Sequence, residues 1–343
     1  MNRKLLLTLV ALPLFAGSAA DSSRAVRPCA QCHPAQSQLQ PATSMAHAME
    51  LIPECTILNE HPVLTFNEGA YSYRIERKDS QTLYSVSDGQ QTLTFPIGWA
   101  FGQGLAGQTY VFQSDGEFYQ TRVSYYRAID GLDLTLGAEN MKPTNIVEAS
   151  GIRMARQEQA QCFGCHATNA VEAKQLVTDK LIAGVQCERC HGSAENHLKG
   201  IKLGDPVLAA MPKLTARSTE QISSFCGGCH RTWEEIASSG KVGISNVRFQ
   251  PYRLTNSKCY DTEDRRISCV ACHDPHKEID HTVSHYDSKC MACHGGGKPA
   301  ARVCKVSKNN CAQCHMPKIE IPGSHHRFSD HEIRIVKANV YPD

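Results

Sequence analysis

One five-residue pattern, Cys-x-x-Cys-His, occurs seven times in this chain of 343 residues. The seven copies contain fourteen of the 17 cysteines and seven of the 16 histidines. Numbered in chain order as motifs 1 to 7, they span residues 29–33, 162–166, 187–191, 226–230, 269–273, 290–294 and 311–315. Chance placement would produce far fewer than one copy, so the repeated spacing reflects a chemical requirement.

The spacing matches the chemistry of covalent haem attachment. Two thiols on one helical turn can reach the two vinyl groups of a porphyrin, and the adjacent histidine then points at the iron. A zinc site would need four ligands and gives no reason for a histidine after every second cysteine. A thioredoxin-like site needs one reactive pair in a βαβ context. The motifs therefore predict seven covalently attached haem c groups.

The predicted haem-attaching residues are Cys29, Cys32, Cys162, Cys165, Cys187, Cys190, Cys226, Cys229, Cys269, Cys272, Cys290, Cys293, Cys311 and Cys314. The predicted proximal iron ligands are His33, His166, His191, His230, His273, His294 and His315.

Each iron has a second axial position, and nine histidines outside the motifs could supply it. A second imidazole closes the iron and suits electron transfer, whereas a missing ligand leaves a place for substrate. The preferred distal candidates are His47, His197, His276, His325 and His331, with His61, His281, His285 and His326 weaker. His276 should serve a neighbouring haem, because the turn at Pro275 is too tight for it to share an iron with His273. Met45 or Met49 could replace His47 as a thioether ligand.

Three cysteines lie outside the motifs. Cys259 and Cys304 flank the C-terminal motifs, and a disulfide between them is favoured over two free thiols if the compartment is oxidising. Cys55 is then left over, either buried or available for an intermolecular bond.

The N-terminus predicts export. Arg3 and Lys4 precede an apolar run over residues 5–15 and small residues up to Ala20, which is typical of a secretory signal peptide. The run is shorter than the ~20 apolar residues of a membrane span, and no second long apolar stretch follows. We therefore expect a periplasmic or extracellular protein that does not span a membrane. Its balanced charge, 36 basic against 34 acidic side chains, does not suggest nucleic-acid binding.

The segment from residue 62 to residue 161, one hundred residues between motifs 1 and 2, contains no histidine and no cysteine. Short runs of alternating apolar and polar residues there are separated by turns at residues 78–80, 88–89 and 114–116. This predicts an antiparallel sheet of four to six strands. Six motifs then fall within residues 162–315, too little chain for an apolar core around each porphyrin.

The predicted fold class is α+β, with a haem-packed C-terminal region of short helices and coil and an antiparallel β-rich segment inserted after motif 1. The predicted divisions are a signal peptide at 1–20, an N-terminal haem segment at 21–61, the β-rich domain at 62–136, a helical linker at 137–161 and a hexahaem domain at 162–343.

The surroundings of three motifs resemble the cytochrome c-554 family, a group of multihaem cytochromes related to pentahaem nitrite reductase and octahaem hydroxylamine oxidoreductase. The resemblance covers residues 162–335 and motif 1. It is carried by residues 184–192 (GVQCERCHG), 269–276 (CVACHDPH), 311–318 (CAQCHMPK) and 328–333 (FSDHEI). It implies that His197, His276, His325 and His331 are distal ligands. No Cys-x-x-Cys-Lys motif and no eighth haem motif are present, so the resemblance implies electron transfer more firmly than nitrite reduction or hydroxylamine oxidation.

The sequence thus predicts a periplasmic or extracellular electron carrier with mostly bis-histidine haems and no catalytic residue. Its donor and acceptor would be a redox protein or a quinol-oxidising membrane partner. One alternative is a multihaem oxidoreductase acting on a small nitrogen or sulfur compound at one open haem. Another is a subunit of a larger oligomer or extracellular cytochrome filament.

Overall fold

The computed structural model describes residues 28–79, 81–240, 242–295 and 304–336. The predicted signal peptide lies outside these ranges. Within them, no helix combines the length and the apolar character that a membrane span requires.

The largest element of the fold is a nine-stranded antiparallel sheet, in which strands β2 to β8 each pair with the next strand in chain order. Two short strands extend it, because β1 pairs with β5 and β9 pairs with β7. The strands are β1 Met49–Leu51, β2 Val63–Glu68, β3 Tyr71–Lys78, β4 Gln81–Ser87, β5 Thr92–Phe101, β6 Gln108–Ser114, β7 Glu117–Tyr126, β8 Gly131–Leu134 and β9 Gly151–Arg153.

The turns that join the central strands lie where the sequence predicts them. Strand β3 pairs with β4 across residues 78–81, β4 with β5 across the Asp88–Gly89 turn, and β6 with β7 across residues 114–117. In the last of these turns, Asp115 and Gly116 both have positive φ, at 52° and 78°. Two positive φ angles in succession make the tight turn that matches strand twist, which explains the Asp-Gly pair.

The sheet is larger than the four to six strands predicted, and it extends beyond residues 62–136. Strand β1 comes from the predicted N-terminal haem segment, and β9 comes from the predicted helical linker. Both are only three residues long. A strand of three residues shows no readable alternation, so only its contacts with β5 and β7 place it in the sheet.

The helices are α1 Pro34–Leu39, α2 Thr56–Glu60, α3 Ile146–Ser150, α4 Arg156–His166, α5 Cys187–His191, α6 Glu195–Leu203, α7 Thr219–His230, α8 Trp233–Ser239, α9 Gln250–Thr255, α10 Cys269–Cys272, α11 Val283–His294 and α12 Cys311–His315. Short 3₁₀ turns lie at Gln40–Ala42, Ile52–Glu54, Ala138–Asn140, Leu214–Ala216, Ile244–Arg248 and Arg265–Ile267. Two-stranded pairs join β10 Ala167–Thr168 to β13 Ile182–Ala183, β11 Val171–Glu172 to β12 Gln175–Leu176, and β14 Lys318–Glu320 to β15 Arg327–Ser329.

The cysteines of motifs 2 to 7 lie on helices, as one-turn spacing of two thiols requires. Motifs 2, 4 and 6 form the C-terminal turns of α4, α7 and α11, while α5, α10 and α12 consist of little more than a motif. Helix α7 begins with a capping box, in which Ser218 and Gln221 each bond the backbone nitrogen of the other. Helices this short are unstable alone in water, so tertiary contacts must hold them.

Apolar burial is concentrated in the N-terminal half of the protein. Among the described residues, 31 buried apolar side chains precede residue 184, and six follow it. Those six are Ile222, Ile236, Val247, Phe249, Leu254 and Ile321. The buried apolar residues form two clusters, one on the sheet and one between the sheet and α4. No member of either cluster lies after Ala183 in the sequence. The region that carries motifs 3 to 7 therefore lacks an apolar core made of side chains.

Residues 40–49 link motif 1 to the sheet and to motif 3. The carbonyl of Met45 accepts a hydrogen bond from the Val185 nitrogen at 2.9 Å, and the carbonyl of Ala48 accepts one from the Gly102 nitrogen at 2.8 Å. The loop before motif 3 passes so close to this segment that residue 184 must be glycine. Its φ is +72°, and a Cβ there would lie 1.6 Å from the carbonyl oxygen of Ala46.

We expect Gly184→Ala to destabilise the protein by about 2–4 kcal/mol, through left-handed backbone strain and overlap with Ala46. The measurement is the urea midpoint of the holoprotein followed by circular dichroism. Gly98→Ala is the matched control, because a Cβ on Gly98 would meet only the Val111 carbonyl oxygen at an ordinary 3.6 Å. Equal midpoints for the two variants would contradict the close approach at Gly184.

Candidate functional site

Three motif histidines each lie beside a histidine from a distant part of the chain. The ring centroids of His33 and His197 are 6.3 Å apart, and those of His191 and His276 are 6.0 Å apart. The rings of His273 and His331 are also 6.3 Å apart. Each pair thus joins a predicted proximal ligand, from motif 1, 3 or 5, to a predicted distal ligand.

The separation of these rings fits one metal atom between them. A metal–imidazole bond of about 2 Å, with the centroid about 1 Å behind the nitrogen, places two rings that share an iron about 6 Å apart. A direct nitrogen–nitrogen hydrogen bond of about 2.9 Å would bring the centroids to about 5 Å. The observed distances are longer than a hydrogen bond allows, so the residues fit a haem iron held by two imidazoles.

The distal rings are oriented by hydrogen bonds at Nδ1. His197 donates from Nδ1 to the carbonyl of Ala209 at 2.5 Å, and His331 donates to that of Ser329 at 3.0 Å. Nδ1 of His276 lies 3.4 Å from the Asp274 carboxylate. A partner at Nδ1 fixes the tautomer and leaves Nε2 available to a metal, which is the usual arrangement around metal-binding histidines.

Burial favours the neutral imidazole, which is the form that binds a metal. It lowers the pKa of His331 to about 4, against an opposing hydrogen bond to Ser329. Burial also lowers the pKa values of His166, His230 and His273. The pKa of His191 falls for the same reason, with the nearby His276 and His33 adding to the effect.

The structure gives His47 and His325 other partners. Nδ1 of His47 lies 3.2 Å from Glu50, whose hydrogen bond raises the histidine pKa, and Nε2 lies 3.0 Å from the Pro41 carbonyl. Nε2 of His325 lies 2.7 Å from the carboxylate of Asp133. Neither ring pairs with a motif histidine at 6 Å within the described chain, so their ligand role stays a prediction.

The methionine alternative to His47 has an apolar setting. The Met49 side chain is buried in the cluster that contains Phe101 and Phe163.

The motifs contact one another in a continuous series. Burial raises the pKa of Cys29 in motif 1, and the neighbouring Cys187 of motif 3 adds to that rise, so the two motifs adjoin. Arg189 of motif 3 donates from Nε to the Gly164 carbonyl of motif 2 at 2.9 Å. Motif 2 in turn contacts motif 4, because the Cys165 thiol lies 3.6 Å from the Gly228 carbonyl.

The series continues to the C-terminus. The thiols of Cys226 in motif 4 and Cys269 in motif 5 are neighbours. His285, next to motif 6, donates from Nε2 to the Cys272 carbonyl of motif 5 at 3.2 Å. The buried Asp287 carboxylate accepts from the backbone nitrogen of Cys311 at 2.9 Å and so holds motif 7 against α11. Neighbouring attachment sites are therefore adjacent throughout.

The predicted disulfide is wrong in this structure, where Cys259 and Cys304 are both free thiols. Cys259 lies near Cys290 and Cys293 of motif 6, whereas Cys304 is exposed. Cys55 is buried, and its thiol donates to Oε1 of Gln108 at 3.2 Å.

A cluster of arginines beside motifs 2 and 4 was not predicted. Nη2 of Arg189 lies 3.6 Å from the Cys229 sulfur, and Arg231 directly follows motif 4. Surrounding protein and the Arg231 charge lower the pKa of the Arg248 guanidinium. Arg231 forms an ion pair with Glu235, whereas Arg248 makes none with a carboxylate of the described chain. Arg189 lies within motif 3 and Arg231 directly follows motif 4, but the position of Arg248 depends on the fold.

Comparisons with known proteins agree with the motif chemistry. The family model described as cytochrome c554 and c-prime matches residues 133–192, which include motifs 2 and 3. The multiheme cytochrome MtrA of Shewanella baltica (strain OS185) is 26% identical over 143 residues. That match covers 40% of this chain and 36% of the relative, so little more than a third of the relative's length is represented. No solved structure matches the chain significantly. Residues 133–192 are thus similar to the cytochrome c554 family, and the motifs together with both similarities support a multihaem c-type cytochrome with covalently bound haem c.

Proposed function

We propose that this protein carries electrons outside the cytoplasm through seven closely packed haem c groups, most of them held by two histidines. The observation that carries the proposal is the set of three imidazole pairs at 6.0–6.3 Å, which supports two-histidine ligation of three of the seven haems, and the other distal ligands stay predictions. Bound haem c supplies an iron that takes up and releases single electrons without binding substrate when both axial positions are filled. The proposed ligand pairs are His33 with His197, His191 with His276, and His273 with His331.

The contacts between motifs support electron transfer. The series 1–3–2–4–5–6–7 places each attachment site beside the next, and closely spaced redox groups are what rapid electron transfer requires. The scarcity of buried apolar side chains after Ala183 supports the same arrangement, since the porphyrins would supply the missing apolar core. The similarity to a multiheme cytochrome agrees with this role.

We place the protein in the periplasm or at the cell exterior, because covalent haem attachment and the predicted signal peptide both suit an exported protein. A redox protein or a quinol-oxidising membrane partner would then donate electrons, and a second redox partner would accept them. An oligomer or filament of such chains remains compatible with this proposal.

A second function, oxidoreductase activity on a small nitrogen or sulfur oxyanion, is favoured by one observation. The described residues place no second imidazole about 6 Å from His315 of motif 7, His166 of motif 2 or His230 of motif 4. Arg189, Arg231 and Arg248 gather beside motifs 2 and 4, with Arg231 also paired to Glu235. An iron with one free axial position beside guanidinium groups could bind an anion.

The first experiment counts haems and tests for an open iron. We expect the mass of the purified holoprotein to exceed that of its polypeptide by seven haems. Quantified electron paramagnetic resonance of the oxidised protein should then show low-spin iron that does not respond to nitrite, hydroxylamine or sulfite. A high-spin fraction of one or two haems in seven that shifts with one of these ligands would instead establish the oxidoreductase. Arg248→Gln should weaken that shift if the arginines bind the anion.

The three proposed ligand pairs predict the effect of single substitutions. His197→Ala, His276→Ala and His331→Ala should each convert one low-spin haem to high spin while all haems stay attached, because only the distal bond is lost. The measurement is the high-spin signal per total haem, with attachment checked by mass.

His281→Ala is the control, since this exposed side chain pairs with no motif histidine in the described part of the protein. A normal low-spin spectrum in any of the three variants would remove that histidine from the ligands.

A further inference from the structure

A buried ion pair lies between the two C-terminal axial ligands. Arg253 of α9 and Asp330, which follows β15, are 2% and 0% exposed. Nε of Arg253 donates to Oδ1 of Asp330 at 2.8 Å, and Nη2 donates to Oδ2 at 3.0 Å. Nη2 also contacts the Glu332 carboxylate. The Arg253 guanidinium and the Asp330 carboxylate are therefore joined by two parallel hydrogen bonds, which fix the orientation of both planar groups.

On the C-terminal side of Asp330, the next residue is His331, the proposed distal ligand of motif 5. The backbone of residues 331–333 is fastened by Ser257, whose hydroxyl donates to the His331 carbonyl at 3.0 Å and accepts from the Ile333 nitrogen at 2.8 Å. Ser257 follows α9, the helix that carries Arg253. The backbone that carries the His331 imidazole, 6.3 Å from His273, is thus fastened by this serine and directly follows Asp330 of the ion pair.

The Asp330 carboxylate is also linked to motif 7, through Arg334. Nη1 of Arg334 donates to Oδ2 of Asp330 at 2.5 Å. The backbone carbonyl of Arg334 accepts from Nδ1 of His315 at 2.9 Å, and its nitrogen donates to the His315 carbonyl at 3.2 Å. The Asp330 carboxylate therefore positions the peptide that orients the proximal ligand of motif 7.

We propose that the buried Arg253–Asp330 ion pair is a positioning element shared by two haems, which sets the distal ligand of motif 5 and the proximal ligand of motif 7 together. Asp330 directly follows Ser329, whose carbonyl accepts from Nδ1 of His331, and its carboxylate holds Arg334, whose carbonyl accepts from Nδ1 of His315. Because a ligand's basicity and orientation follow from the hydrogen bond at its other nitrogen, we expect a change at Asp330 to reach both irons through these two carbonyls. The inference rests on the proposed ligand roles of His331 and His315. Arg253 and Asp330 are positioning residues, since neither touches an iron in this arrangement.

The test uses three variants of the holoprotein, each examined by electron paramagnetic resonance and by redox titration of the individual signals. Asp330→Asn removes the carboxylate charge and should shift the signals of two haems and their midpoint potentials. Ser257→Ala should shift only the signal that His331→Ala abolishes. Arg334→Gln should shift only the other of the two. Glu172→Gln is the control, because it removes one charge from an exposed pair with Lys180 and should change neither signal.

The outcomes separate this inference from the proposed ligation. If His331→Ala leaves the spectrum unchanged, the proposed ligand pair fails. If His331→Ala produces high-spin iron while a folded Asp330→Asn shifts no signal, or one only, the shared positioning role is overturned and the ligation stands. If Asp330→Asn does not fold, Arg253→Lys decides, since it keeps the positive charge but loses the two parallel bonds to Asp330. Shifts of two different signals in that variant support the inference, and a shift of one signal or of none overturns it.

Discussion

The confinement of apolar burial to the N-terminal half governs the rest of this structure. Motifs 3 to 7 lie in a region where the described chain buries six apolar side chains, too few to offset the conformational entropy of ordering about 150 residues. The helices there are between four and twelve residues long and would not form alone. In the proposed holoprotein, porphyrins bonded to the cysteines supply the apolar surface, and the chain acts as a scaffold around them.

The sheet has the opposite character, since it has an ordinary apolar core and needs no cofactor to explain its order. It meets the motif region through Phe163, which lies inside motif 2 and is fully buried. The Phe163 ring packs edge-on against Trp99 at 5.3 Å and Phe101 at 5.0 Å, both on β5. The carbonyl of Ala48 meanwhile accepts from Nδ1 of His166. The sheet thus provides a rigid, dry support for the proximal side of motif 2.

The proposed ligand pairs also link distant parts of the chain. Residue 33 lies beside 197, residue 191 beside 276, and residue 273 beside 331, so each iron would join two segments that are 58 to 164 residues apart. Metal binding of this kind couples cofactor insertion to folding, because the complete site does not exist in the unfolded chain. The Arg253–Asp330 pair adds a connection made by the protein alone, since it holds segments that carry ligands of two motifs.

The sequence alone determined the properties that depend on local chemistry. The spacing of two thiols and a histidine identifies haem attachment, and pairs such as Asp88–Gly89 locate hairpin turns, because both act within a few residues. The tertiary structure decided what depends on contacts between distant residues. It placed His276 beside His191 and Nε2 of His325 against Asp133, added β1 and β9 to the sheet, and left Cys259 and Cys304 as free thiols. A pattern can name the candidate ligands, but only the folded chain brings two of them to the same iron.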